Sequence, residues 1–139
     1  MPLLLLSYAF FFIAEAIVVP PAGGETGSQN SDITTDLNLW NRQAKIGKCF
    51  DSSTGFSLPN GGDRSLDAAW IPIEKWQALT SKERQGFLPF SPDFAIELLS
   101  PSDSWKLGQQ KMEKYMENGC RLGWLIDSKH RRVAIAVFI

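Results

Sequence analysis

Residues 93–127, DFAIELLSPSDSWKLGQQKMEKYMENGCRLGWLID, decide the fold. The opening seven alternate: Phe94, Ile96 and Leu98 fall on one face, and Asp93, Ala95, Glu97 and Leu99 on the other, as a central strand requires. Ser100-Pro101-Ser102-Asp103 caps a helix that runs to about Glu117, where Asn118-Gly119 closes it. Arg121 to Ile126 and Arg132 to Phe138 are two further strands around an Asp127–Arg131 turn. Strand, helix, strand, strand predicts an α/β (α+β) fold with a mixed central sheet and helices packed on it.

Upstream, Asn60-Gly61-Gly62-Asp63 is a turn signal between a Ser-, Thr- and Phe-rich stretch at 49–58 and a short strand from Leu66 to Ile71. That pattern predicts a hairpin. Pro72 to Gly86 reads as short helical pieces around Trp76 and Leu79. Ahead of these, Ile33, Leu37, Trp40 and Ala44 recur at helical spacing, behind a cap at Ser28, Asn30 or Ser31 and ahead of a stop at Gly47.

A chain of 139 residues is one domain long and can bury a core without disulfides. Its 44% hydrophobic and 21% charged content excludes the composition of disorder. Lys and Arg number 14 against 15 Asp and Glu, so attraction to nucleic acid or an anionic membrane must come from a local patch. Cys49 and Cys120 are too few for a zinc ligand set or a disulfide framework, and fit free thiols in a reducing compartment. Residues 3–14 (LLLLSYAFFFIA) are almost wholly apolar, but Glu15 interrupts the run before it reaches spanning length. Ala14-Glu15-Ala16 has the small-x-small pattern of a cleavage site, yet no Lys or Arg precedes the run as a secretory signal requires. The expectation is an apolar segment at 1–16 ahead of a domain at 17–139, in the cytoplasm; membrane attachment or secretion through residues 3–19 is the alternative.

Two carboxylates stand in apolar strand sequence, Asp67 in LDAAWI and Glu97 in AIELL. Burying a carboxylate is costly unless something pairs with it, although either acid alone reads as the solvent side of a half-exposed strand. The helix after Glu97 sharpens the choice. With Leu107 at zero and ~100° per residue, Tyr115, Met112 and Met116 fall near ~80°, ~140° and ~180°, and Lys111 near ~40°, inside the apolar arc. An ammonium aimed at two carboxylates makes a charged cluster suited to a hard cation such as Mg2+, which takes one or two carboxylates and keeps several waters. The lysine would then orient water or stabilise charge developing on a phosphate. Glu25, in a Gly-rich turn before the first helix, can reach the same cleft, or can simply favour the helix N-terminus. His130, the only histidine, lies in a surface turn, and no nucleophilic triad, CxxC, P-loop or GxGxxG string is present.

The strings PPAGGETG (20–27), DSSTGFSLPNGGDRSLDAAWI (51–71), PDFAIELLSPSDS (92–104) and KMEKYMENGCRLGWLID (111–127) together resemble the Uma-two family of restriction endonucleases. That family, common in cyanobacterial genomes, belongs to the PD-(D/E)XK nuclease superfamily. The likeness implies a restriction-endonuclease-like core, a mixed central sheet flanked by helices, and a hydrolase that cleaves DNA with Mg2+ or Mn2+ and no small-molecule cofactor. It leaves room for a homodimer. By family motif, Asp67 matches the metal-binding aspartate, Glu97 the acid of the (D/E)XK element, and Glu25 the acid of the first core helix. By the same resemblance the main-chain carbonyl of Leu98 is expected to complete the metal shell. Leu99 stands where the motif places lysine, and the resemblance implies Lys111 on the next helix as its migrated replacement. Two further departures are the apolar run in place of a polar helical segment and an end at Ile139 where relatives run further, so the domain is expected to be shortened at its C-terminus.

Two functions of different class follow. One is a Mg2+-dependent endonuclease using Glu25, Asp67, Glu97 and Lys111. The other is a catalytically inactive nuclease-fold protein that binds nucleic acid or a partner, motivated by the net charge of -1 and the altered ends. Lys106, Arg121, Lys129, Arg131 and Arg132 could touch phosphates and Trp105 could stack on a base, but charge on a solvated face is the commoner explanation.

Overall fold

The computed structural model describes residues 23–138, so the expectations for the apolar run lie outside the described residues. Helix α1 (Gly24–Ala44) begins earlier than its polar residues suggest, because Gly23 caps it through the backbone alone and the Gly27 N–H reaches the Gly23 carbonyl at 2.9 Å. Ser28, Asn30 and Ser31 are therefore inside the helix. It ends at Lys45, whose left-handed φ of 57° turns its N–H back to the Asn41 carbonyl, and not at Gly47. Gly47 serves another need: a Cβ there would strike the Trp70 ring and the Ile71 carbonyl.

The stretch 49–58 is two strands, β1 (Gly47–Asp51) and β2 (Gly55–Leu58). The Asp51 carboxylate accepts the Ser53 N–H at 2.9 Å and breaks the run there, as an Asp turn does. β2 forms its hairpin with β3 (Gly62–Ser65) around Asn60-Gly61. β4 (Ala68–Pro72) turns away and pairs with β1. The strand expected from Leu66 thus starts two residues later, which moves Asp67 from inside it to its mouth.

Two short helices follow, α2 (Ile73–Gln77) and α3 (Ser81–Gln85), the second opened by a capping box between Thr80 and Glu83. Then come β5 (Phe94–Leu98), α4 (Trp105–Glu117), β6 (Leu122–Asp127) and β7 (Arg132–Val137). The cap of α4 is Ser104, whose hydroxyl accepts the Leu107 N–H, while Asp103 turns back to accept the Ser100 N–H at 2.7 Å. The main sheet has the order β1-β4-β5-β6-β7, with β5 and β6 parallel and every other neighbouring pair antiparallel. A parallel pair needs a crossover, and α4 supplies it.

Strand alternation sends the two long helices to opposite faces. Leu37 of α1 packs on Ala68 and Ile96, with Trp70, Phe94 and Ile126 beside them. Met112 and Tyr115 of α4 pack on Ala69, Ala95 and Leu125, where Phe56 and Leu58 of the hairpin join them. On the α1 face β7 leaves Val133, Ile135 and Val137 exposed. Glu97 has the parity of Ala95, so it faces α4.

Candidate active site

The register of β4 on β5 sets the two acids side by side. Ala68 pairs with Ile96 and Ala69 with Ala95, so Asp67, one residue ahead of β4, comes to the end of β5 where Glu97 and Leu98 lie. At the strand mouth the Asp67 side chain replaces the missing ladder: its Oδ2 accepts the Leu98 N–H at 2.6 Å. The N–H and C=O of one strand residue point to the same edge, so the Leu98 carbonyl faces Asp67 as well.

Both carboxylates hold their protons more tightly than usual. Burial, at 8% exposure, pushes Glu97 up to about 7, and the neighbouring Asp67 charge adds to it while the Lys111 ammonium opposes it. Half-buried Asp67 is raised too, first by burial, against the pull of the Leu98 N–H and Lys111. A negative charge on Asp67 makes a second one on Glu97 more costly, and a cation beside them would relieve that cost.

Lys111 arrives from α4, but the apolar arc is centred elsewhere than its residue types suggest. Leu107 is 61% exposed, and the buried positions are Gly108, Met112 and Tyr115. Lys111 therefore sits on the flank of the buried arc, exposed at its residue level, and acts on both carboxylates from there. Leu99 packs against the α4-side core. A Cβ on Gly108 would lie 3.1 Å from Leu99 Cδ2 and 2.8 Å from Leu125 Cδ1, so the glycine lets α4 settle onto both leucines. Lysine at 111 is one turn further along that helix.

Glu25 does not join this group. It is exposed in the first turn of α1, roughly 120° around the helix from the buried line through Thr26 and Leu37. The α1 residue that reaches the site is Asn30, whose Nδ2 donates to Asp67 Oδ1 at 3.4 Å and whose Oδ1 is buried without a partner. Three further residues escaped the sequence reading. Tyr115 Oη donates to Glu97 Oε1 at 2.8 Å, Asp103 adds negative charge near Asp67, and Arg64 of β3 adds positive charge near Tyr115. Tyr115 had an apolar-arc position and Asp103 a capping role, which hid both.

The surface candidates are mostly exposed. Arg132 is engaged: its Nε donates to buried Asp127 at 3.0 Å and its guanidinium lies 3.9 Å from the Trp105 ring centre. His130 is on the surface as expected, beside the same carboxylate at 2.9 Å. Cys49 and Cys120 are free thiols that burial pushes up to about 11.

Among the described residues no group of three or more His, Cys, Asp or Glu side chains could hold a metal ion. The site offers two carboxylates and a main-chain carbonyl. That donor set fits Mg2+ or Mn2+, hard ions that take oxygen ligands and, for Mg2+, need only one or two carboxylates. The orphaned Asn30 oxygen beside Asp67 is in keeping with a hydrated ion, which would give it a donor. A polar cleft of about 470 Å³, lined by Asn30, Thr34, Asn38, Asp51 and Ser52 among others, opens onto Asp67.

A helix, an antiparallel three-strand run, a crossover helix and a parallel fourth strand make the mixed sheet flanked by helices that a restriction-endonuclease-like core was expected to have. The chain belongs to the Uma2 family, described as putative restriction endonuclease, whose model matches residues 7–137. The fold resembles the crystal structure of a putative nuclease belonging to DUF820 from Anabaena variabilis. That match has a TM-score of 0.73 at 19% sequence identity, over 88% of this chain and 67% of the other. No protein of curated function matches the sequence.

Proposed function

We propose that the protein is a Mg2+- or Mn2+-dependent endonuclease that hydrolyses DNA phosphodiester bonds. The observation that carries this reading is the meeting, at the end of β5, of Asp67, which accepts the Leu98 N–H, with buried Glu97, both under the charge of Lys111. Asp67, Glu97 and the Leu98 carbonyl would hold the ion, which when bound supplies Lewis-acid polarisation of a phosphoryl oxygen and a lowered pKa for water. The Leu98 N–H fixes Asp67, Tyr115 fixes Glu97, and together they keep the two carboxylates at one separation. Lys111 places a positive charge beside that pair, where negative charge develops on a phosphate under attack. The polar cleft on Asp67 gives a strand of nucleic acid access without crossing the apolar core.

Cleavage of DNA by the purified protein tests this. It should require Mg2+ or Mn2+ and disappear in Asp67→Ala and Glu97→Ala; equal activity in both variants would mark a contaminant and end the proposal. A salt-dependent DNA complex with no cleavage would instead favour the inactive binding protein, a reading that the net charge of -1 keeps open. The compartment we propose is the cytoplasm, on the two free thiols. Fractionation of a tagged chain that put it in the membrane or the medium would overturn that.

A further inference from the structure

Tyr115 is the largest fully buried side chain of the described residues, at 0% exposure, on the one helix that also carries Lys111. Its ring belongs to the core made by Phe56, Leu58, Ala69, Ala95 and Leu125. A close-packed core leaves such a ring one position, so the hydroxyl at its tip is fixed in space. A buried tyrosine hydroxyl needs a partner, and this one has Glu97 Oε1 at 2.8 Å. The contact is not set by sequence proximity, since the residues are 18 apart and lie on different elements.

We infer that Tyr115 is a positioning residue for the ion site: by engaging Oε1 of Glu97 it locks the carboxylate's rotation and leaves Oε2 as the oxygen presented to a divalent cation beside Asp67. This rests on the reading that Asp67 and Glu97 hold such an ion. The groups that act on Glu97 are Asp67 at the mouth of β4 and Lys111 with Tyr115 on α4, while the charge of Arg64 on β3 acts on Tyr115 and that of Asp103 on Asp67. Of these, Tyr115 is the one hydrogen-bond donor to Glu97 among the described side chains. Partners that orient a metal ligand are worth about 10–100-fold in metal affinity or activity.

Tyr115→Phe keeps the ring and removes the hydroxyl. Mn2+ is titrated calorimetrically into the full chain without DNA, for the wild type, Tyr115→Phe and Asp67→Ala, and the cleavage assay is run alongside. Tyr115→Phe should weaken Mn2+ binding about 10-fold or more and raise the Mn2+ concentration that half-saturates cleavage by a similar factor, with KM for DNA unchanged. An unchanged Mn2+ affinity in Tyr115→Phe, with binding abolished in Asp67→Ala, overturns the positioning role alone. No Asp67-dependent Mn2+ binding in the wild type overturns the ion site and this inference with it. If Tyr115→Phe does not fold, the ultraviolet difference spectrum of the wild type on adding Mn2+ decides. A tyrosine perturbation that Glu97→Gln removes supports the role, and no perturbation in the wild type refutes it.

Discussion

Metal-free Glu97→Gln is expected to melt at a higher temperature than the wild-type protein near about pH 8, and the gap is expected to close as the pH falls to about 4.5. In the folded protein Glu97 gives up its proton at about 7, against 4.5 for the free side chain. The folded state therefore binds a proton that the unfolded chain has already released. Its contribution to stability is fully present below the unfolded value and is lost as the pH rises through the folded one. Each unit of difference is worth about 1.4 kcal/mol, so the wild type forgoes roughly 3 kcal/mol above pH 7, a cost shared with Asp67 because the two titrate together. A neutral amide carries no such cost, and several degrees in Tm follow for a chain of this size. The experiment is a set of thermal melts in chelator across that pH range. A glutamine variant less stable than the wild type by the same amount at every pH would show that the Glu97 charge is not under strain. The same reasoning makes Mn2+ stabilise the wild type and not the variant, by binding only the folded state.

Lys111→Met is expected to lower kcat for DNA cleavage by about two to three orders of magnitude while KM for DNA moves little, since one donor lost from a preorganised charged site costs about that much. The ammonium acts on both carboxylates from the flank of α4, where a methionine of similar length can lie without disturbing Met112 or Tyr115. Steady-state kinetics at saturating Mg2+ would measure the split. A rise in KM with kcat unchanged would move Lys111 from the chemistry to general attraction of the strand. Lys111→Arg tests the geometry in turn, because a planar guanidinium cannot stand in for a compact ammonium at a fixed point.

The central strand and the helix after it could be read directly, because residues 93–117 carry both an alternating pattern and a cap, signals that local sequence alone produces. The same alternation puts Glu97 on β5, on the face it shares with Ala95. Asp67, expected inside the strand from Leu66, lies one residue ahead of β4. The Asp51 turn divides the preceding stretch, so the hairpin uses β2 and β3, and β4 starts only at Ala68. A register between distant strands decides that point, and spacing along the chain does not contain it. The helix that follows Glu97 shows the limit of counting apolar residues. Leu107 is apolar and exposed, Gly108 has no side chain and is buried, and the arc shifts accordingly, which leaves Lys111 on its flank.

Glu25 illustrates the same limit on the other face. An acid in the right motif was expected at the site, yet α1 starts at Gly24 and turns Asn30 toward Asp67 instead. An asparagine near a helix start reads as a cap until the true start is known. Tyr115 was counted as core, which it is, and only the fold shows that its hydroxyl ends on Glu97. Asn30 and Tyr115 each have a polar atom working from an otherwise structural position, and no local pattern marks such a residue.

The central claim is that Asp67 and Glu97 form one divalent-ion site. Crystals of the full chain soaked in Mn2+ and measured at a wavelength where manganese scatters anomalously test it most directly. One anomalous peak in contact with a carboxylate oxygen of each residue and with the Leu98 carbonyl is the predicted result; a peak elsewhere, or carboxylates that stay paired with each other at saturating Mn2+, would contradict it.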